Sequence, residues 1–370
     1  MKTRAAVLDQ VGADWTITEL DLDEPKTGEV LVRWVAAGLC HSDEHLRHGD
    51  IVPRFPIVGG HEGAGIVEKI GPGVSRVEVG DHIVASFLPS CGKCRWCSTG
   101  RQNLCDVGAT ILEGSLPDGT FRFHRNGDDL GGLCMLGTFS DRSVVSELSC
   151  VPVSKELDLT KVVLVGCGIP TGWGSAVYAA EVKPGETVVI YGIGGIGINA
   201  VQGSAHAGAL NTVAVDPLAN KREKAEELGA THSVASAEEA MELVQQLTNG
   251  VGADKAIVTV DVVDSEVVTN AFNVVSKGGT VVVTGLADPA KITVELPSAI
   301  LTLFEKTLKG SLFGSSNPMY DIPKLLDLYQ AGELEIDSLI TKTYTLDQIN
   351  EGYQDLLDGN IIRGVILYDA

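Results

Sequence analysis

The sequence is poor in positive charge and has no long hydrophobic run. Its 370 residues carry 28 lysines and arginines against 49 aspartates and glutamates, which gives a formal net charge of −21. Such an excess of negative charge disfavours binding to nucleic acid or to an anionic membrane surface. No apolar run is long enough to span a bilayer, and no apolar segment follows the basic residues of the opening MKTRAAVLDQ. We therefore expect neither a membrane span nor a secretory signal.

Internal repeats and low-complexity segments are also lacking, whereas cysteine is not. Eight cysteines occur in a chain that is 44% hydrophobic and long enough for two domains. Without a secretory signal we expect a reducing cytoplasm, where cysteines bind metals more often than they form disulfides. Cys134 and Cys150 lie outside any cluster, and we predict that both are buried as small hydrophobic side chains.

Residues 40–45, with the sequence CHSDEH, combine a thiol, a hydroxyl, carboxylates and imidazoles. As a thiolate Cys40 suits zinc, and Asp43 is a candidate for bracing another metal ligand. Ser42 and His45 are candidates for passing a proton outward. The alternative is a polar turn with an incidental cysteine, and the stretch alone does not decide between the two.

Two further segments offer ligands for the same metal. His61 lies among glycines in GGHEGAG, where it is either a ligand on a strand edge or a residue that fills a turn. The adjacent Glu62 is equally compatible with a solvated surface carboxylate. Cys167 ends the apolar run VVLVGC, and with Cys40 and His61 it completes a Cys, His, Cys set. Three protein ligands leave the fourth position of zinc open, as in catalytic sites, but spacing alone does not prove that the three meet.

Four closely spaced cysteines form the strongest single motif of the sequence: Cys91, Cys94, Cys97 and Cys105. Four thiolates are typical of a closed, structural zinc site. An iron–sulfur cluster is the nearest alternative, because CxxCxxC also opens ferredoxin motifs. Those motifs bring the fourth cysteine sooner and follow it with proline, whereas Asp106 follows here. The pattern therefore favours zinc over a cluster or over no metal.

The secondary-structure pattern changes along the chain. Residues 2–8 and 29–36 predict strands, and no helical period appears before residue 40, so the N-terminal region is predicted to be mostly β. Residues 106–140 are irregular and glycine-rich, which predicts a long surface loop. Beyond them, amphipathic helices are predicted at 317–331 and 346–357, and a last strand at IIRGVILYD.

Between these parts, strands and helices alternate from the strand TVVIY to about residue 310. Strands are suggested at ADKAIVTV and GGTVVVTGL, with helices near 218–228, 237–247 and 264–274. Regular alternation of this kind predicts a doubly wound α/β fold with a parallel sheet.

A glycine turn opens the alternating region. Gly192, Gly194 and Gly197 form a GxGxxG pattern between a strand and a helix, with Gly195 as an additional glycine. These glycines permit a tight turn and let a pyrophosphate approach the helix N-terminus. Asp216 ends the next strand, where an acid accepts hydrogen bonds from a ribose diol and repels a 2′-phosphate, which favours NAD over NADP. An ordinary strand–helix turn is the alternative.

Taken in order, these motifs resemble those of the zinc-dependent medium-chain alcohol dehydrogenases. The resemblance runs nearly end to end through CHSDEH, GGHEGAG, the four-cysteine motif, GCGIPTGWG, GIGGIG, Asp216 with Lys221, and IIRGVIL. Segments such as STGRQNLCD, GATILEG and FGSSNP are most similar to the actinobacterial members that are assayed with nitrosodimethylaniline as electron acceptor. The resemblance implies a mostly-β, GroES-like catalytic domain (1–168 and 311–370) and a Rossmann NAD-binding domain (169–310).

The resemblance also implies roles at the metal sites. Cys40, His61 and Cys167 would hold a catalytic zinc, and the four clustered cysteines a structural zinc. Asp43 would orient His61, and Glu62 would lie behind the metal. Ser42 would bind the alcohol hydroxyl, and a proton relay through the cofactor ribose would end at His45.

The implied contacts with NAD and substrate involve further residues. These are Asp216 and Lys221 at the adenosine ribose, Arg363 and His41 at the pyrophosphate, Thr171 at the nicotinamide, and Phe87 in the substrate pocket. One departure concerns the pyrophosphate. Many relatives carry arginine where His41 stands, and a mostly neutral histidine is a weaker phosphate contact near pH 7.

The leading hypothesis is thus a cytoplasmic, homo-oligomeric enzyme that uses NAD and two zinc ions to interconvert an alcohol and its aldehyde or ketone, with an external electron acceptor. A mycothiol-dependent formaldehyde dehydrogenase is one alternative. Glutathione-using relatives carry an acid where Ile51 stands, which argues against glutathione and leaves mycothiol open. A non-catalytic NAD- and zinc-binding protein is the other alternative, against which the intact Cys40, His61, Cys167 and Ser42 argue.

Overall fold

The computed structural model describes residues 1–286 and 293–369 of the chain. Its strands are β1 (Lys2–Leu8), β2 (Thr16–Leu22), β3 (Glu29–Gly38), β4 (Ile57–Val58), β5 (Gly63–Ile70), β6 (His82–Ala85), β7 (Phe123–Arg125), β8 (Asp128–Gly132), β9 (Arg142–Ser146), β10 (Cys150–Val153), β11 (Thr187–Tyr191), β12 (Asn211–Val215), β13 (His232–Val234), β14 (Ala253–Val258), β15 (Val275–Val283), β16 (Thr307–Gly310), β17 (Ile340–Tyr344) and β18 (Arg363–Leu367).

The α-helices are shorter in the first half of the chain than in the second. They are α1 (His41–His48), α2 (Arg95–Ser98), α3 (Leu159–Val162), α4 (Gly168–Gly174), α5 (Gly197–His206), α6 (Ala219–Glu227), α7 (Ala237–Leu247), α8 (Ser265–Val274), α9 (Ser298–Leu303), α10 (Pro318–Gln330) and α11 (Ile349–Leu357). The helices predicted from the sequence near 218–228, 237–247 and 264–274 correspond to α6, α7 and α8.

The chain divides into two compact units. The first contains Met1–Cys167, Asn317–Gly332 and the residues from Ile336 onward, and the second contains Gly168–Ser316 with Glu333–Glu335. The sequence-based limits assign Gly168, residues 311–316 and residues 333–335 to the first unit, whereas the structure places all of them in the second.

The first unit is built of β-structure, as the sequence indicates. A closed barrel has the strand order β1-β2-β7-β8-β4, and a seven-stranded sheet runs β10-β6-β5-β3-β18-β17, with β9 paired to β3. The strand β3 is the centre of this sheet, since it pairs antiparallel with β5, β9 and β18. Its pairing with β18 brings the C-terminal segment beside the start of α1, which matters for the site described below.

The prediction of a surface loop over residues 106–140 was wrong for part of its length. The strands β7 and β8 form an antiparallel hairpin within it, with Phe123 opposite Leu130. Asn126 and Gly127 make the turn with φ of 56° and 90°, and Asn-Gly is the sequence pair that favours such two-residue turns. Phe123 and Leu130 are buried opposite each other whereas the intervening acids are exposed, so this buried cross-strand pair and the Asn-Gly turn, rather than the glycine content, decided the structure.

The second unit is a doubly wound fold, which confirms the predicted parallel sheet. Six strands lie in the order β13-β12-β11-β14-β15-β16, and every neighbouring pair is parallel. Ser236 and Asp264 cap α7 and α8 by accepting hydrogen bonds from the backbone N–H groups of Glu239 and Val267. The core between helices and sheet is aliphatic except for Phe272 and Tyr191.

Within the described part of the chain, no single helix is long and apolar enough to cross a membrane. Two short helical stretches, Leu159–Gly166 and Gly168–Ala179, meet the length and composition criteria only when they are taken together as a bent pair.

The core of the second unit gives a direct stability test. Phe272 is fully buried, so Phe272→Ala should destabilise the protein by about 3–5 kcal/mol through lost burial and a residual cavity. Thermal unfolding measured by calorimetry should show a clearly lower melting temperature. Leu210→Ala is the control, because Leu210 is exposed and its truncation should change little. Equal melting temperatures for the two variants would contradict this core assignment.

Candidate metal centres and dinucleotide-binding turn

Cys40 is the N-cap residue of α1 and lies two residues beyond the end of the central strand β3. Cys40 is extended, with φ −129° and ψ 146°, and it makes no side-chain capping hydrogen bond, so its sulfur is directed elsewhere. The helix carries acids in its first turn and basic side chains in its last turn, which complements the helix dipole. Gly49 ends it in the left-handed conformation, with φ 88°. The chain therefore folds locally into a short helix that presents Cys40 at its N-terminus.

Asp43 connects this helix to His61. One carboxylate oxygen, Oδ2, lies 3.0 Å from His61 Nδ1, and the other, Oδ1, accepts a hydrogen bond of 2.9 Å from the backbone N–H of Gly60. Gly60 has φ 85°, and a Cβ there would come within 2.6 Å of Phe139, so glycine is required for this close approach. With Nδ1 facing Asp43, the nitrogen of His61 that remains for a metal is Nε2.

Four side chains meet beside that nitrogen: Cys40, His61, Glu62 and Cys167. Their potential ligand atoms all lie within 4.8 Å of one another, inside the first unit. Both ring nitrogens of His61 are buried without a well-aligned hydrogen bond among the described residues, and of the two Nδ1 has Asp43 Oδ2 at 3.0 Å. Two sulfurs and an imidazole are a donor set that zinc prefers, and a buried nitrogen without a partner is costly unless a ligand meets it. The residues therefore fit a zinc ion.

Charges within this cluster are balanced in pairs. A hydrogen bond from Cys167 lowers the pKa of Cys40 well below its ordinary value, against the effect of burial. The same bond, together with burial, raises the pKa of Cys167 well above its ordinary value. Burial opposes protonation of His61, but the charges of Asp43 and Cys40 hold its pKa well above the usual range. The lowered pKa of Cys40 and the raised pKa of His61 have one cause in common, which is that the charged forms of the two side chains stabilise each other. Because metal ligands must be deprotonated, a divalent cation would compete with protons at this cluster.

Glu62 and Arg363 form a buried ion pair at the back of the cluster. Arg363 Nη2 also donates a hydrogen bond of 3.2 Å to the carbonyl oxygen of Leu39. Burial raises the pKa of Glu62 to about 7, and Arg363 opposes that rise. The guanidinium is therefore engaged on the protein side of the cluster, and its contact with a cofactor phosphate stays a prediction.

Of the other predicted site residues, Ser42 and Phe87 contact ligands of this centre, and His41 and His45 lie on α1. Ser42 Oγ lies 3.5 Å from Cys40 Sγ. The ring of Phe87 meets that of His61 edge to face, with 5.8 Å between centroids. His41 is the first residue of α1 and is half-buried. His45 is buried on α1, and its Nδ1 lies 2.8 Å from Asp50 Oδ2.

Two neighbours of the centre were missed in the sequence. Asp50 follows the glycine that ends α1, so a carboxylate placed just after a helix-ending glycine was the available signal. Tyr353, on α11, is fully buried. Burial first, and then the charges of Asp43 and Cys40, raise the pKa of Tyr353 well above its usual range, which places its hydroxyl near Asp43. No sequence signal pointed to Tyr353, because its position there depends on distant packing.

The second sulfur cluster contains Cys91, Cys94, Cys97 and Cys105, whose sulfur atoms lie within 4.8 Å of one another. Three of these sulfur atoms accept hydrogen bonds from backbone N–H groups. The sulfurs of Cys105, Cys91 and Cys94 accept from the N–H groups of Cys91, Cys94 and Cys97 at 3.3, 3.3 and 3.4 Å, respectively. Backbone N–H groups, led by that of Cys97, lower the pKa of Cys94 to about 6. Four converging sulfurs with N–H groups directed at them match a structural zinc site.

In the second unit, the glycine turn lies between β11 and α5. Gly192 has φ 87°, and a Cβ on Gly197 would lie 2.8 Å from Thr259 Oγ1 and closer still to the carbonyl oxygen of Gly192. A Cβ on Gly194 would meet nothing within 4 Å. The backbone of the turn therefore packs closely at Gly192 and Gly197, between the strand and the helix. At Gly194 there is open space, which lets the phosphates of a ligand approach the backbone N–H groups.

Asp216 lies at the carboxyl end of β12 and is buried beside this turn. Its Oδ2 accepts a hydrogen bond of 2.8 Å from the N–H of Ile193, and its Oδ1 one of 2.9 Å from Leu218. Each oxygen keeps a second lone pair for a ribose hydroxyl. Lys221 lies in the first turn of α6 and is half-buried, and Thr171 is buried on α4.

Comparison with known proteins agrees with these arrangements. Residues 26–155 match the family described as alcohol dehydrogenase GroES-like domain, and residues 195–331 match the zinc-binding dehydrogenase family. The NDMA-dependent alcohol dehydrogenase of Amycolatopsis methanolica is 63% identical over the full length of both chains. Alcohol dehydrogenase B of Mycobacterium tuberculosis is 45% identical, covering 100% of this chain and 99% of that protein.

Solved structures show the same fold. Benzyl alcohol dehydrogenase from Acinetobacter calcoaceticus aligns over the whole of both chains with a TM-score of 0.93 and 30% identity. An alcohol dehydrogenase zinc-binding domain protein from Burkholderia ambifaria also aligns over both whole chains, with a TM-score of 0.93 and 31% identity. The chain therefore belongs to the zinc-dependent medium-chain alcohol dehydrogenases, and it is an NAD-linked oxidoreductase of that family.

Proposed function

We propose that Cys40, His61 and Cys167 hold the catalytic zinc at which a small alcohol is oxidised to its aldehyde or ketone. The observation that carries this assignment is the buried Cys, His, Cys set with Asp43 holding His61 Nδ1 at 3.0 Å. When bound, zinc supplies Lewis-acid chemistry that makes an alcohol hydroxyl more acidic, and NAD supplies the hydride acceptor.

The protein's own groups hold the reactants and move the proton. Asp43 keeps His61 in the tautomer whose Nε2 is free to bind metal. Ser42, at the first turn of α1, accepts the proton of the alcohol hydroxyl, and His45 carries that proton onward. Phe87 shields the His61 ring from one side and lines the substrate pocket. Glu62, paired with Arg363, keeps a buried negative charge behind the metal ligands.

Cofactor binding is assigned to the turn containing Gly192, Gly194, Gly195 and Gly197. Asp216 and Lys221 bind the adenosine ribose, Thr171 contacts the nicotinamide, and His41 and Arg363 contact the pyrophosphate. Asp216 is the determinant of NAD over NADP, because a buried carboxylate repels a 2′-phosphate.

The alternative activities have less support. Ile51 packs against the core of the first unit and brings no charge to the site. This observation neither favours nor disfavours a mycothiol adduct as the substrate. A non-catalytic role disagrees with the retention of Ser42 and the complete ligand set.

The similarity to an NDMA-dependent relative supports a further step. NAD stays bound after the alcohol reduces it, and a second, external acceptor reoxidises it in place. The protein acts as a homo-oligomer in the cytoplasm. Association is supported by β16, which among the described strands lies at the edge of the parallel sheet with Leu308 exposed. An edge strand with exposed apolar side chains favours pairing with another chain.

Measuring the zinc content and melting temperature of cysteine variants distinguishes the structural from the catalytic zinc site. The unmodified protein should contain about two zinc ions per chain, and Cys94→Ser should retain about one and melt at a lower temperature, because structural zinc contributes directly to stability. Cys40→Ser should instead lose turnover with little change in melting. Cys150→Ser is the control, since Cys150 is buried outside both clusters. A Cys94→Ser protein with normal zinc content and stability would refute the structural site.

Cofactor choice is tested by titrating NAD and NADP into purified protein. Asp216→Gly should lower the ratio of NAD to NADP affinity by roughly tenfold or more, equivalent to about 1.4 kcal/mol. The ratio cancels any general loosening of the turn when the hydrogen bonds to Ile193 and Leu218 are lost. Glu223→Gln, an exposed charge change on α6, should leave the ratio unchanged. Equal affinity of the unmodified protein for both nucleotides would contradict the assignment.

Cofactor retention is tested without added NAD. The enzyme is dialysed exhaustively and given an alcohol and nitrosodimethylaniline, and loss of the acceptor's absorbance is followed. Steady turnover is expected, because retention requires only that dissociation be slow relative to the cycle. Activity that appears only after free NAD is supplied would make this an exchanging dehydrogenase and would overturn the retention step.

A further inference from the structure

His45 is held in a defined orientation by the residues that follow its helix. The carbonyl oxygen of His45 accepts hydrogen bonds from the N–H groups of Gly49 at 3.0 Å and of Ile51 at 3.2 Å. Asp50 lies between these two residues, so its backbone is fixed beside His45. A Cβ on Gly49 would lie 2.9 Å from Val11 and would also be strained at φ 88°, so the turn that returns Asp50 over the helix depends on glycine.

The Asp50 carboxylate meets the buried imidazole at hydrogen-bond distance. Its Oδ2 lies 2.8 Å from His45 Nδ1. The side chain of His45 is only 7% exposed, whereas that of Asp50 is 30% exposed. A carboxylate accepts and does not donate, so Nδ1 carries a hydrogen, and in the neutral ring Nε2 is then the nitrogen that can accept a proton. The pair therefore joins a buried proton acceptor to a group that reaches solvent.

We propose that Asp50 is the positioning residue that makes His45 an effective proton acceptor and opens its path to solvent. This inference rests on the role of His45 in the proposed function. A proton that arrives at Nε2 converts the ring to imidazolium, which the Asp50 charge stabilises. A proton then leaves from Nδ1 on the Asp50 side, where solvent is accessible. One proton enters the ring and one leaves it, and no electrons are transferred.

Other charged groups around His45 are paired among themselves. Glu44 is buried and lies 3.3 Å from both Arg47 and His48, and Arg47 also lies 3.2 Å from Asp14. Asp43, on the same helix, faces His61. Asp50 is a carboxylate at hydrogen-bond distance from His45 Nδ1, and Asp50 takes no part in the Glu44 and Arg47 pairing, so the two can be changed separately.

The test compares Asp50→Asn with Asp50→Glu and with Asp14→Asn. Asp50→Asn keeps the size of the side chain but removes its charge. It should lower kcat for alcohol oxidation on the order of tenfold with KM little changed, because Asp50 does not touch the alcohol. The pH dependence of kcat should also change, because the charged partner beside the ring is replaced by a neutral amide. Asp50→Glu should recover most of the rate, and Asp14→Asn should behave like the unmodified enzyme.

A second measurement is independent of turnover. NMR of protein labelled with ¹⁵N-histidine, with the His45 signal identified from His45→Gln, should show hydrogen on Nδ1 in the unmodified protein and a changed tautomer in Asp50→Asn. An Asp50→Asn protein with an unchanged pH profile and an unchanged tautomer would overturn the inference. Failure of the unmodified enzyme to oxidise any alcohol would instead refute the proposed function, and the tautomer result would separate that failure from this one.

Discussion

The contact between Asp43 and His61 is the interaction on which the metal cluster depends. A fully buried carboxylate is costly unless its oxygens are used, and here one faces His61 Nδ1 while the other accepts the N–H of Gly60. The arrangement orients the ring and holds the segment between β4 and β5, which carries His61, against α1. Because Cys40 begins the same helix, a single carboxylate sets the relative position of two metal ligands.

Charge compensation extends this constraint through the cluster. Cys40, Glu62 and Asp43 bring negative charge into a buried region, and His61 and Arg363 bring positive charge. Removing one member of a buried ion pair leaves the other without compensation, which costs more than the pair itself contributes. The pairing of β18 with β3 is therefore as important for the site as α1, since it delivers Arg363 to Glu62.

The dinucleotide turn follows the same logic in the second unit. Asp216 accepts backbone N–H groups from the glycine turn and from the residues that precede α6, so the acid that selects the cofactor also holds the turn in shape. Substitution of this residue affects both properties together, and only a ratio of affinities separates selectivity from loosening.

Local patterns were sufficient for part of this protein. The four-cysteine motif, the strand–glycine turn–helix and the helices α6 to α8 were predicted from the sequence because each depends on residues close in the chain. The Asn126-Gly127 hairpin was equally local, and it was missed because glycine content was given more weight than the Asn-Gly pair that makes the turn.

Contacts between distant residues were decided only by the tertiary structure. Cys167 meets Cys40, Arg363 meets Glu62, and Tyr353 approaches Asp43 through the packing of strands and helices far apart in sequence. Family resemblance suggested all of these residues except Tyr353 as functional, but not that Arg363 pairs with Glu62. Asp50 is close to His45 in sequence, yet its contact depends on the left-handed backbone of Gly49. Sequence spacing specifies which residues are available, whereas backbone direction and burial determine which side chains meet.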